Sequence, residues 1–120
     1  MELGTRTSHD LVQSDKVEGT AVFGPDGERL GSVDHFMVDK VSGQVEYAVL
    51  AFGGLFGLGH KHYPLPWKTL SYDTEKGGYT VNVTKEQLEG APSYESGDAP
   101  DYDKAYGDRV YSYYGLSYVY

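Results

Sequence analysis

Cysteine is absent from the 120 residues. That excludes a disulfide framework, a thiol nucleophile and any thiolate metal site. Cations are scarce as well: 10 Lys and Arg stand against 18 Asp and Glu, a formal charge of −8. Such a chain repels phosphate backbones and anionic lipid alike, so nucleic acid is not an expected partner. Long apolar runs are missing too. The most apolar stretch, 47–59, is about 13 residues long and rich in glycine, short of the ~20 that a membrane-spanning helix needs. Insertion into a membrane is therefore not expected. The opening MELGTRTSHDLVQSDK lacks an apolar run set between basic residues and a small-residue cleavage site. It does not read as a secretory signal, and a cytoplasmic location is expected.

What the chain does contain suits one globular domain with a modest core: 39% of residues are apolar and 23% charged. Residues 17–23 are expected to form a first strand. Gly24-Pro25-Asp26-Gly27 then turns the chain, with proline presetting one φ and Gly27 accepting a positive one. The returning strand, 29–38, carries Leu30, Val33 and Phe36 at a spacing of three, which breaks strict alternation. A bulge or strong bend near Gly31 would reconcile that spacing with a strand. Asp39 leads into the Val41-Ser42-Gly43 corner, and 44–52 follows with apolar residues on both faces, the mark of a strand covered on both sides.

Gly53 and Gly54 begin a flexible connection, FGGLFGLG. It lacks the Gly-Lys-Ser/Thr ending of a phosphate loop, so its glycines are expected to turn a sheet corner. Residues 60–65 form the next strand and run into Pro64-Leu65-Pro66-Trp67, where two prolines suit an edge or corner and Trp67 is expected to anchor the core. A last hairpin, 70–73 with 78–83, precedes Thr84 and Gln87, spaced as a capping box. The helix they open is stopped by Gly90 and Pro92. From 93 to 100 the composition is that of a polar, acidic linker. Eight of the 12 tyrosines lie between Tyr94 and Tyr120, and Tyr102, Tyr106, Val110, Tyr113 and Tyr114 follow helical spacing. A helix over about 101–114, closed by Gly115, is expected, although Gly107 inside it costs roughly 1 kcal/mol against alanine.

The run from SDKVEGTAVFGPDGERLGSVDHFMVDK through VSGQVEYAVLAFGG to PLPWKTLSYD, with KEQLEGAPSY after it, resembles the PRC-barrel family. That family is named for the cytoplasmic domain of the photosynthetic reaction-centre H subunit. The features that carry the resemblance are Gly27-Glu28 with Leu30-Gly31, Asp39 before Ser42-Gly43, Tyr47-Ala48-Val49-Leu50, the pair Gly53-Gly54, and Pro66-Trp67. The similarity covers about 11–94. It implies a mainly β chain: a small six-stranded PRC-type β-barrel with short helices toward the C-terminus, used as a docking module. No catalytic residue and no cofactor come with the family, so none is expected. The chain lacks the H subunit's membrane helix and the RNA-associated companion domain of a ribosome maturation factor that shares the barrel. A flexible 1–10, a barrel at 11–94 and an acidic linker with a tyrosine-rich tail at 95–120 complete the expected organisation.

His60 and His62 alternate along one strand face, a spacing that holds Zn²⁺ or Cu²⁺ when further ligands converge. His9 and His35 are the remaining histidines. With Tyr63 and Leu65 on the opposite face, His60 and His62 are expected to face solvent, and metal binding is the alternative reading. Asp34 and Asp39 are acid–base candidates, but Asp39 precedes a turn where its carboxylate can accept backbone N–H bonds. No nucleophile elbow is present, and Asn82-Val83-Thr84 is a chance glycosylation match. Leu55, Phe56 and Leu58 are expected either to cap the barrel or to form an exposed contact patch. The tail's Tyr102, Tyr106, Val110, Tyr113 and Tyr114 are expected to make an interaction surface, because tyrosine supplies rigid amphipathic contact area, the alternative being that the tail packs against its own barrel. A homodimer built on that tail or on the glycine-rich loop, with a further protein partner, is the expected mode of action.

Overall fold

Residue patterns of this kind leave open how the strands are ordered. A computed structural model describes residues 11–52 and 61–118. Within them the elements run α1 (Ser14–Val17), β1 (Ala21–Phe23), β2 (Arg29–Val38), β3 (Val45–Phe52), β4 (Lys61–Pro66), a 3₁₀ turn (Trp67–Thr69), β5 (Ser71–Asp73), β6 (Gly78–Thr80), α2 (Lys85–Glu89), β7 (Tyr94–Glu95) and α3 (Lys104–Tyr113). The expected first strand is shorter than 17–23. Val17 closes a helical turn, and the chain reverses at Gly19, whose φ is +87°, before β1 begins.

The strands form one seven-stranded sheet in the order β5-β6-β1-β2-β3-β4-β7. β1 and β6 run parallel, and the other neighbouring pairs are antiparallel. This corrects the expectation of a closed six-stranded β-barrel. Closure would require the two outermost strands to hydrogen-bond to each other, whereas β5 and β7 lie at opposite ends of the order. β5 has three residues and β7 two. Among the described residues β7 pairs with Lys61 and His62 alone, and from Tyr63 onward the outer side of β4 has no strand neighbour. Pro64 and Pro66 lie in that stretch, where a missing N–H is tolerated. α3 packs along β4 instead.

The spacing of three in β2 has a direct cause. Val22 pairs with Gly31 and Phe23 with Arg29, which leaves Leu30 unpaired; Val33 pairs with Leu50 and His35 with Val49, which leaves Asp34 unpaired. Each bulge adds one residue, so Leu30, Val33 and Phe36 all reach the same core. Gly31 is required for a different reason: a Cβ there would run into the backbone carbonyl of Ala51 on β3.

Two turns share one design. Asp39 Oδ1 accepts from Val41 N–H at 2.8 Å and Ser42 N–H at 3.0 Å, with Gly43 at φ +80°. Asp73 Oδ1 accepts from Glu75 N–H at 2.9 Å and Lys76 N–H at 3.1 Å, with Gly77 at φ +68°. The donated bonds from Ser42 and Val41 hold the Asp39 carboxyl below its usual range and give it the turn role its position predicts. Gly27, at φ +80°, closes the β1–β2 hairpin.

Side chains separate onto two faces of the sheet. Val22, Leu30, Val33, Leu50, Tyr63 and Leu65 pack with Leu88 of α2 into the main core. The α2 capping box is formed, Thr84 Oγ1 accepting from Gln87 N–H at 3.1 Å and Gln87 Oε1 accepting from Thr84 N–H at 2.9 Å. Trp67 is half-buried, its ring between Phe36 and Tyr79 at 6.2 and 5.6 Å. On the other face Tyr47 packs with Val110 and Tyr111 of α3.

Substituting Gly31 by alanine is expected to cost about 2 kcal/mol through overpacking. Gly43→Ala, in open space but at positive φ, is expected to cost about 1 kcal/mol. Denaturant unfolding of both variants measures the order, and equal losses would contradict the Ala51 approach.

Candidate functional site: the tyrosine seam between sheet and tail

The tail is placed by its helix ends. Asp103 caps α3, its Oδ1 accepting from Tyr106 N–H at 2.9 Å. At the other end Leu116 N–H donates to Tyr111 O at 2.8 Å and Gly115 N–H to Ser112 O at 3.0 Å, with Gly115 at φ +75°. This is a Schellman ending, and it folds the chain back so that Tyr118 reaches the helix at Gly107. A Cβ on Gly107 would occupy the space of the Tyr118 ring. The helix-interior glycine is thus a packing requirement.

The aromatic contacts form one connected layer. Tyr111 meets Tyr47 edge-on at 5.6 Å and 88°, and its hydroxyl donates to the Glu46 carbonyl at 3.0 Å. Tyr47 meets Tyr102 at 5.0 Å, Tyr102 meets Tyr106 at 5.1 Å, and Tyr111 meets Tyr118 at 4.9 Å. Tyr94 and Tyr102 share a hydroxyl–hydroxyl bond of 2.6 Å. Tyr113 donates to the Gln87 carbonyl and so ties α3 to α2. Burial pushes the Tyr106 hydroxyl up to about 12. Tyr102, Tyr47 and Tyr114 are raised further, again chiefly by burial. Glu46 is raised by desolvation first and by nearby Asp39 second.

At the β7 end the layer reaches a histidine. His62 is buried, 8% exposed, because Tyr94 stacks on its ring at 5.6 Å and 11°. The expectation that it faces solvent is corrected: the tail covers that face of β4. Its Nε2 lies 3.6 Å from Asp34 Oδ2, which also binds His35 Nδ1 at 2.7 Å. Among the described residues, no group of three or more His, Asp or Glu is placed to hold a metal ion. His9, His60, Gly53, Gly54, Leu55, Phe56 and Leu58 lie outside the described residues.

Of the tail residues selected from the sequence, Val110 is fully buried, Tyr102, Tyr106 and Tyr114 are half-buried, and Tyr113 is exposed. The structure brings Tyr102, Tyr106, Val110 and Tyr114 together against the chain's own sheet. Sequence reasoning did not single out Tyr111, nor Tyr47 and Tyr94 as its neighbours in the layer. The signal for Tyr111 was its place beside Val110 on the helical face.

A family comparison fits this division of the molecule. The PRC-barrel domain model matches residues 9–88. The chain belongs to the PRC-barrel family. Membership is consistent with a non-catalytic role. Both the linker and α3 lie beyond the matched residues of this PRC-barrel chain, so the seam joins the family domain to a segment outside it. None of the curated proteins compared matches the chain. Among the described residues no helix is long and apolar enough to cross a membrane.

The raised hydroxyls give a pH dependence. In the unfolded chain tyrosines lose their protons near the ordinary value of 10.0, while the seam tyrosines keep theirs in the fold. The unfolded state then binds fewer protons, so stability falls as pH rises above that value. Phenolate absorbance is expected to show one class of tyrosines titrating normally and a second appearing only together with loss of the fold. Titration of all tyrosines as one class in a folded protein would contradict the buried seam.

Proposed function

We propose that this PRC-barrel chain is a non-catalytic docking module that pairs with a second copy through its C-terminal layer. One observation carries the reading. The outer face of β3 and β4 takes a tyrosine-rich helix that lies outside the family-matched residues. A sheet face of that kind is a helix-docking surface, and edge-on tyrosine pairs give it contact area with directional preference. Tyr113 is 42% exposed, and Tyr102, Tyr106, Tyr114, Leu116 and Tyr118 are half-buried on the same layer. Aromatic side chains of this kind are enriched in protein interfaces. The charge of −8 directs the surface away from nucleic acid, and the aromatic layer offers contact area that does not depend on charge.

Sedimentation equilibrium tests this. The expected mass is twice the 13.2 kDa of one chain. Val110→Asp places an unpaired charge in the seam and is expected to return the mass to 13.2 kDa while the sheet stays folded by circular dichroism. A wild-type chain that sediments as a single copy at every concentration would remove the reading.

A further inference from the structure

We propose that the β3–β4 face of each chain takes the α3 tail of a second copy, the two chains exchanging tails through the turn at Ser96-Gly97. The inference rests on the self-pairing reading above and specifies how it occurs. Surface and occupant are already seen to fit: Val110 and Tyr111 are fully buried against Tyr47, and the Tyr111 hydroxyl meets the Glu46 carbonyl. Exchange re-forms each of these contacts between chains, so it needs no second complementary surface, which is why swapping is a low-cost route to dimers.

Three features of the seam favour release and recapture. Every buried side-chain nitrogen or oxygen without a hydrogen-bond partner among the described residues lies in it, Tyr106 OH, Tyr114 OH and His62 Nδ1 included. An unsatisfied buried polar group opposes docking, so the tail is held less firmly than its aromatic area implies. Second, the connection between β7 and α3 is exposed and acidic, with Glu95, Asp98, Asp101 and Asp103. It reverses through a turn closed by Asp98 N–H on Glu95 O at 3.0 Å, with Gly97 at φ +92°. Third, its reach is sufficient. Opened out, residues 95–101 span roughly 24 Å at about 3.3–3.6 Å per residue, comparable with the 26 Å shortest extent of the molecule.

The test uses full-length protein. Isotope-labelled and unlabelled copies are unfolded together, refolded as a mixture, and examined for nuclear Overhauser contacts filtered to pass only between labelled and unlabelled chains. The Tyr47 ring is expected to show contacts to the Tyr102 and Tyr111 rings of the other chain in a species of dimer mass. A dimer in which these contacts stay within one chain overturns exchange and leaves the self-pairing reading standing. A single-copy mass at all concentrations overturns both. Gly97→Val disfavours the positive-φ turn that returns the tail to its own sheet without shortening the connection, and the dimer share is expected to rise severalfold. An unchanged or smaller share in a chain whose sheet remains folded overturns exchange.

Discussion

The contact of Tyr111 with Tyr47 and the Glu46 carbonyl fixes what the sheet's second face is. Strand β3 has buried residues pointing both ways, Tyr47 toward α3 and Leu50 toward the main core. Without the tail the Tyr47 side would be apolar sheet in water. Covering it buries ring area and directs the Tyr111 hydroxyl to a backbone acceptor. Gly107 and the Gly115 ending serve the same contact, the first by admitting Tyr118 and the second by turning it back. At ten residues the helix is too short to be stable alone in water, so packing of its apolar face holds it more than propensity does.

The same tail lies beside the open end of the sheet. A barrel removes its edges by pairing them. Here the β4 edge is protected by other means: two residues of β7, two prolines, and α3 lying alongside. The β5 edge is kept to three residues, a length too short to be a good template for another strand.

Much of the strand pattern was legible because local chemistry set it. The limits of β2 follow from the turn before it and from Asp39 after it, and the spacing of Leu30, Val33 and Phe36 announced one bulge or bend near Gly31, which the pairing located at Leu30 together with a second bulge at Asp34. Thr84 with Gln87 marked α2, and Gly115 marked the end of α3. What was not legible is what depends on long-range partners. Closure depends on whether the two end strands meet, which no alternation encodes. The burial of His62 depends on Tyr94, and the identity of the seam depends on residues 47, 94, 102 and 111, drawn from β3, β7, the linker and α3. The tail's own helical period was visible, but the face it would cover was not.

The central physical claim is that edge-on tyrosine packing couples the tail to the sheet. A double-mutant cycle on unfolding free energy with Tyr47→Leu, Tyr111→Leu and the double variant measures this most directly. The coupling is expected to be favourable by about 1 kcal/mol, within the range for aromatic pairs beyond their buried area. Losses that simply add, with no coupling between the two positions, would contradict the account.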